Sequence, residues 1–589
     1  MKTSTENKIL WTLMDIERVY TSTPYASAVF AAFVLYLAHE HPDKTELKSI
    51  LVVNEVSKPL ARVIEERLSN HWDKYRPLLT AFPKDDLADL LSSVDGERLA
   101  GGKGPFASSL PVADLVSCLL DLKTGDSVCD LGCATGDFIR KAYFQTFTDD
   151  DANKLVGIDH SSEAAAIAEI RMRCIDANVS IRNESMFSRE FRDARFDKVF
   201  CDPPLAARGL AQNPEVRAFL REAFPDFPEL TPSMQGEWLF AARAVAAMKK
   251  GGRAVVVMAP TAMSDMRLAR YRRYFVQHGL VEAVIDLPPR LYTHTNVGPC
   301  LVVFSEGNEA VRMINAAELR YTNRKSNVLG KGHIDTIAAC LGLAATCDPQ
   351  GLDRYCKTME RDELLDNDCD LSVRRCFAPP VPVRDGVPLG SLLADSGRGA
   401  TIPAEKLDKL VTSEDTPFLY VTPGQLDDGT ARPLHLREMP VPYRPRCAKD
   451  GDVVVARVLS DGSEIKSAVL EIPDGKTVLP SDNLQILSVD RARADPYFIK
   501  ACLDNGYAQR FLASFSGGSV IRHLTPRDLE RLPIPALPLS RQREIGEACR
   551  AAVHRVHSLR EQLDEARRIL GRVLSDNEPA CLAATEGEA

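Results

Sequence analysis

The stretch Ser127-Val-Cys-Asp-Leu-Gly-Cys-Ala-Thr-Gly-Asp-Phe-Ile139 runs from a short apolar segment through a turn with two glycines into the start of a helix. Val128 and Leu131 flank Asp130 in what reads as a buried strand. Gly132 and Gly136 permit tight backbone geometry, and the helix that begins near Phe138 turns its first amide groups towards the turn. That is the shape of a nucleotide-cofactor loop. A glycine-containing turn between strand and helix is also an ordinary α/β connection, so its meaning depends on what lies at fixed distances downstream.

Downstream the chain alternates apolar strands with helices, the pattern of a parallel, doubly wound sheet. Leu155-Val-Gly-Ile158 predicts the next strand and ends at Asp159. A carboxylate about twenty residues past the glycines can accept hydrogen bonds from both ribose hydroxyls of a nucleoside; it can equally cap the following helix, Ser162-Glu-Ala-Ala-Ala-Ile-Ala168. Val179-Ser-Ile181 predicts a third strand leading to Asn183-Glu184, and Phe196-Asp-Lys-Val-Phe200 a fourth, which ends in Cys201-Asp-Pro-Pro-Leu205. Two prolines after an acidic residue fix a rigid turn that cannot extend the sheet ladder, which leaves carbonyls free for a ligand. In such a turn the Asp202 carboxylate and the Pro203 carbonyl can both accept from one amino group, leaving its nitrogen lone pair aimed at an electrophilic methyl.

At 589 residues the chain is long enough for several cores. With 45% hydrophobic and 26% charged residues it has the composition of a soluble globular protein. The fifteen cysteines are scattered with no Cys-x-x-Cys pair, which predicts reduced thiols in a cytoplasmic setting and no metal site. The first residues show no signal-peptide pattern. The apolar run Tyr25–Ala38 is too short to span a bilayer and predicts a buried helix. A net charge of −9 argues against indiscriminate nucleic-acid binding, while local basic patches remain compatible with DNA.

Residues 1–104 carry apolar positions at three- and four-residue spacing, through Ile9, Leu10, Leu13 and Ile16 and again through Val56, Leu60, Ile64 and Leu68, and predict a helical domain. Gly101-Gly-Lys-Gly-Pro105 reads as a joint, and residues 105–378 as a Rossmann-like domain. Within the latter, the residues resemble the DNA amino-methyltransferases, and more closely the modification subunit of type I restriction-modification systems, which are adenine-specific DNA methylases. The resemblance rests on Asp130-Leu-Gly-Cys-Ala-Thr-Gly-Asp-Phe138, Asp202-Pro-Pro-Leu205, Gly236-Glu-Trp-Leu-Phe240, Met248-Lys-Lys-Gly-Gly-Arg-Ala-Val-Val-Val257, Ile285-Asp-Leu-Pro288, Cys300-Leu-Val-Val-Phe304 and Asn367-Asp-Cys-Asp-Leu371, in the family's order and spacing.

The resemblance implies a Rossmann-like fold and transfer of a methyl group from S-adenosylmethionine to the exocyclic amine of a flipped adenine in double-stranded DNA. It places Asp130, Gly132, Cys133, Ala134, Thr135 and Gly136 along the methionine part of the cofactor, Asp159 at its ribose and Glu184 at its adenine. Asp202, Pro203, Pro204 and Leu205 form the catalytic turn. Two residues depart from the family's pattern: Ala134 replaces the central glycine of the loop, and Leu205 replaces an aromatic residue that stacks on the flipped base.

Beyond the proline-rich segment Pro379-Pro-Val-Pro382, residues 379–540 resemble a target-recognition domain of type I specificity subunits, an α+β module with short strands expected at 387–393, 418–421, 449–457, 495–499 and 517–525. Arg444, Arg446, Lys449 and Arg457, with Arg522, His523 and Arg527, are candidate phosphate contacts as a group. From 541 to 576 a helix is expected, with Val556, Leu559, Leu563, Ala566, Leu570 and Val573 alternating three and four as a heptad seam. Its partner would be a second copy of this chain or a separate specificity subunit. Residues 577–589 read as a disordered tail. No Gly-x-x-x-x-Gly-Lys-Ser/Thr phosphate loop occurs, so DNA cleavage would need a separate restriction or motor subunit.

Overall fold

The computed structural model describes residues 3–92, 110–147, 154–292, 297–322, 327–344, 350–378, 383, 385–427, 429–460, 465–515 and 521–577. The joint at 101–105 and the tail from 578 onwards lie outside the described residues. Two compact units divide the chain, residues 1–377 and 378–589.

The first unit is built on β1 (Val128–Leu131), β2 (Leu155–Asp159), β3 (Val179–Asn183), β4 (Phe196–Cys201), β5 (Met248–Met258), β6 (Val281–Asp286), β7 (Cys300–Phe304), β8 (Ala310–Asn315) and β9 (Cys356–Glu360). They form one sheet in the order β9-β8-β6-β7-β5-β4-β1-β2-β3. β1 to β4 run parallel, with Asp130 opposite Gly157 on one side and Phe200 on the other. β5, β6 and β8 share that direction. β7 pairs antiparallel with both β5 and β6, and β9 antiparallel with β8. The alternating pattern predicts a parallel, doubly wound sheet, and the sheet departs from it at two strands. The reversal at β7 follows from its connection to β6, which contains no helix among its described residues; without a crossover helix the chain returns antiparallel.

β1, β2, β6 and β7 are buried along their whole length, because helices cover both faces of the sheet. On one face, α1 (Leu110–Leu119) and α2 (Asp137–Thr146) pack Val112, Leu115, Val116, Phe138 and Ile139 against Val128, Phe200 and Val255. On the other, a helix from Glu237 to Ala247 inserts Trp238, fully buried, beneath β5, and Trp238 donates its indole N–H to the Ala262 carbonyl at 3.2 Å.

The region before residue 93 is helical, and Pro24–Ala38 is a helix with most of its residues buried. Together with Leu60, Ile64 and Leu68 it forms a core that extends onto Ala166, Ile167 and Ile170 of α3 (Ser162–Arg173). No described helix is long and apolar enough to cross a membrane.

The second unit holds two four-stranded sheets. One orders Leu393–Arg398, Leu484–Val489, Val453–Ala456 and Ser467–Val469 as antiparallel neighbours. The other contains Phe418–Val421 and Thr477–Pro480 as a parallel pair. The strand expected at 495–499 is instead the start of a helix, Pro496–Asp504: Asp495 accepts the Phe498 amide at 3.0 Å as its cap, and Pro496 occupies the first turn, where no donor is needed. The expected strand at 387–393 is a two-residue strand followed by a 3₁₀ turn over Leu389–Leu392. Leu539–Asn577 is one continuous helix.

Trp238→Ala tests the packing of the first unit. Emptying this site should cost about 3–5 kcal/mol, read as a lowered midpoint of denaturant unfolding in the fluorescence of the remaining tryptophans.

Candidate active site

The strand order brings the ends of β1, β2 and β4 side by side, and the crevice outside their carboxyl ends lies where the connections diverge. A cavity of about 780 Å³ opens there. Its wall contains Gly132, Ala134, Asp159, Glu184, Asp202, Pro203, Pro204 and Leu205. These eight sequence-predicted residues are therefore collected in one place from four separate loops.

The loop after β1 is pinned to the end of β2. The Gly132 and Cys133 amides both donate to the Ile158 carbonyl at 2.8 Å, and the Ala134 amide donates to Asp159 Oδ2 at 2.9 Å. Gly132 has φ +91° and Gly136 φ +81°, conformations that suit glycine. Ala134, at φ +45°, is held in the left-handed region without that freedom. Such a residue costs about 1–2 kcal/mol, which the Asp159 hydrogen bond helps to offset. Asp159 does not cap the next helix: Ser161 does, accepting the Ala164 amide at 3.3 Å, while Asp159 Oδ1 accepts the Ser161 amide at 2.8 Å.

Asp130, Cys133, Thr135 and Gly136 lie behind the wall. Cys133 packs beside Gly157, where an added Cβ would lie 3.0 Å from its sulfur and 2.9 Å from Ile181 Cδ1, and burial pushes its thiol well above the ordinary range. Thr135 donates to Asp137 and its carbonyl accepts from the buried Arg171 at 2.6 Å. Asp130 is 2% exposed, and its Oδ1 has no hydrogen-bond partner among the described residues. Burial, followed by the charges of Asp202, Asp159 and Asp137, holds its carboxyl well above the ordinary range.

The helix α4 (Glu237–Ala247) braces the other two loops. Buried Glu237 accepts the Ala206 amide at 2.8 Å, and the Gly236 amide donates to Ala207 at 2.8 Å, fixing the turn after Leu205. A side chain at Gly236 would strike Leu210. Arg243, six residues further along the helix, donates to the Met186 and Phe191 carbonyls at 2.6 and 2.9 Å and so holds the segment after Glu184. Glu184 itself accepts from Ser188 at 2.8 Å. Tyr292 also lines the cavity and donates its hydroxyl to Asp202 Oδ2 at 2.9 Å. The sequence reading missed Glu237 and Tyr292 as site residues; both lie inside or just past segments that carried the resemblance, and that proximity was the available signal.

In the second unit, Arg446 donates to the Gly399 carbonyl at 3.1 Å and remains exposed, as does Lys449. Arg457 is half-buried and donates to the Leu524 and Asp482 carbonyls, both at 3.2 Å. Arg444 falls in the 3₁₀ turn Val441–Arg446, Arg522 in the strand Ile521–His523 and Arg527 in the helix Pro526–Glu530.

Residues 95–381 match the family model described as N-6 DNA methylase. This part of the chain is similar to that family. A curated relative, the methylase subunit of the type I restriction enzyme MpnII from Mycoplasma pneumoniae, is 21% identical over 309 residues, covering 49% of this chain and 55% of that protein, so the chain spans about half the length of the relative it matches. Among solved structures, the type I restriction-modification methyltransferase subunit from Streptococcus thermophilus is 16% identical, with a TM-score of 0.46 over 63% of this chain and 98% of that one. The type IIG restriction endonuclease BpuSI is 14% identical, with a TM-score of 0.46 over 93% of this chain and 74% of that one.

The cofactor of the N-6 DNA methylases is S-adenosylmethionine, and the residues present fit it. The cavity has the volume of a small-molecule site, its wall carries the carboxylates Asp159, Glu184 and Asp202, which suit a cationic sulfonium compound, and Asp130 behind it holds a buried oxygen with no hydrogen-bond partner among the described residues. An approaching ammonium favours the ionised form of that carboxyl. Binding should therefore release a proton from Asp130, and cofactor affinity should rise as pH climbs above the ordinary carboxylate range towards the raised Asp130 value. Calorimetric titration at several pH values checks this, and Asp130→Asn should flatten the dependence.

Proposed function

We propose that the protein transfers the methyl group of S-adenosylmethionine to the exocyclic amine of an adenine flipped out of duplex DNA, as part of a type I-like restriction-modification or related defence system. The observation that carries this reading is the gathering of the Asp202-Pro-Pro turn and the glycine loop around one cavity inside an N-6 DNA methylase region. In this reading Asp130 and the loop from Gly132 to Gly136 hold the methionine part of the cofactor, Asp159 the ribose and Glu184 the adenine edge. The cofactor supplies an electrophilic methyl. The Asp202 carboxylate and the Pro203 carbonyl accept the two amine hydrogens, directing the nitrogen lone pair at that methyl, and Pro204 keeps the turn rigid. Flipping exposes an amine that pairing otherwise occupies.

The second unit, in this proposal, reads the DNA sequence, with Arg444, Arg446, Lys449, Arg522 and Arg527 supplying phosphate contacts whose strength falls with salt. Arg457, committed to two carbonyls, supports the fold of that surface more than it serves DNA. The helix Leu539–Asn577 leaves Val556, Leu559, Leu563 and Leu570 between 41% and 75% exposed, an apolar seam suited to a second helix from another copy of this chain or from a specificity subunit. A separate polypeptide would supply cleavage.

A second reading is a DNA-binding defence component that keeps the fold and does not methylate, favoured by Leu205 in place of an aromatic residue and by the strained Ala134. Incubation of the purified protein with labelled cofactor and mixed-sequence DNA separates the two: incorporation supports methyl transfer, and DNA binding without incorporation supports the second reading. Leu205→Phe should tighten capture of a flipped base by about 1–3 kcal/mol, seen as stronger binding to DNA carrying mismatched adenines. If the exposed seam holds two copies together, Leu559→Glu with Leu563→Glu should convert a dimer to a monomer in light scattering while the circular dichroism of the chain is retained.

A further inference from the structure

Ala134 is the strained member of the loop after β1, at φ +45° between two glycines that hold positive φ with ease. Its amide is tied forward to Asp159, and directly after it the chain enters a second, closed network. Arg171 on α3, 2% exposed, sends one guanidinium nitrogen to the Thr135 carbonyl at 2.6 Å and the other to Asp137 Oδ1 at 2.8 Å. Thr135 in turn donates its hydroxyl to Asp137 Oδ2 at 3.0 Å, so both carboxylate oxygens are used. A buried ion pair is costly unless its geometry is good, and here the planar fork meets a carbonyl and a carboxylate at once. The helix that carries the fork is itself held. Ala166, Ile167 and Ile170 of α3 belong to the core of the N-terminal helices, and Ser57 donates to its Glu169 at 3.0 Å. Behind the loop there is little slack: a Cβ on Gly136 would lie 3.3 Å from Ala168.

We propose that Arg171 is a positioning residue for cofactor binding, whose fork on Thr135 and Asp137 keeps Ala134 in the left-handed conformation that shapes the loop. The inference rests on this loop holding S-adenosylmethionine, as in the function proposed above, and does not depend on methyl transfer. Arg171 touches no cofactor; it acts through the loop. An alanine that loses the fork relaxes towards negative φ and carries Thr135 with it. A glycine at 134 has no such preference and keeps the loop's shape without the fork. The need for Arg171 is therefore a consequence of the alanine.

The test uses the full chain as wild type, Arg171→Lys, Ala134→Gly and the double variant. Lysine keeps the buried positive charge and loses the fork. In calorimetric titration with S-adenosylmethionine, Arg171→Lys should bind about tenfold or more weakly, the scale of one hydrogen bond to a charged group. The double variant should bind within about threefold of Ala134→Gly alone, because the two positions are coupled. An ion pair with a merely structural role would weaken binding equally with alanine or glycine at 134. Unchanged affinity in Arg171→Lys, or a loss that persists in the double variant, overturns the proposal. Asp137→Asn, with and without Ala134→Gly, gives the same comparison if the lysine variant does not fold. Hydrogen exchange without cofactor supplies a second readout: the peptide spanning residues 132–137 should exchange about tenfold or more faster in Arg171→Lys than in wild type. Equal exchange overturns the brace, whereas faster exchange in a protein whose wild type binds no S-adenosylmethionine keeps the brace and sinks the cofactor reading.

Discussion

The hydrogen bond from the Ala134 amide to Asp159 Oδ2, 2.9 Å long, ties the loop after β1 to the end of β2, and the shape of the cavity depends on it. With the Gly132 and Cys133 amides on the Ile158 carbonyl, that tie holds the left-handed residue at 134 and the turn between Gly132 and Gly136 against the sheet edge. The bond in turn requires β1 and β2 to be parallel neighbours, with Asp130 opposite Gly157. Gly157 suits this place because an added Cβ would press on Ile181 and Cys133 at 2.9 and 3.0 Å. One contact thus rests on the strand order, on two glycines and on a buried thiol.

The same strand order collects acids. Asp130, Asp159 and Asp202 end or follow three adjacent strands, and burial, followed by the charges of Asp202, Asp159 and Asp137, pushes the Asp130 carboxyl well above the usual carboxylate range. A wall carrying Asp159, Glu184 and Asp202 suits a cationic guest, which fits the sulfonium cofactor of the N-6 DNA methylases. α4 supports the arrangement from behind through Glu237 and Arg243, so the loops carrying Asp202 and Met186 are held by side chains from a single helix.

Much of this was legible from residues whose rules are local. Glycines at 132 and 136 signal a tight turn, prolines at 203 and 204 end a strand, and the alternation of apolar runs with helices implies the layered sheet; each is fixed by backbone sterics within a few residues. What escaped the sequence depends on distance. Tyr292 meets Asp202, and Glu237 meets Ala206, only after the sheet is assembled, and nothing in an alternating pattern says that β7 inserts antiparallel between β5 and β6. The segment from Asp495 is different: its cap and first-turn proline were visible, and reading its apolar residues as a strand gave them too little weight. Ala134 shows the limit of composition, since a residue that looks conservative in place of glycine proves to occupy a conformation that favours glycine.

Modification mapping of genomic DNA tests the proposed methyl transfer most directly, in cells that carry this protein, lack it, or carry Asp202→Ala. The account predicts N6-methyladenine at one recurring sequence in the first case and its loss in the other two. A map identical in all three would contradict it.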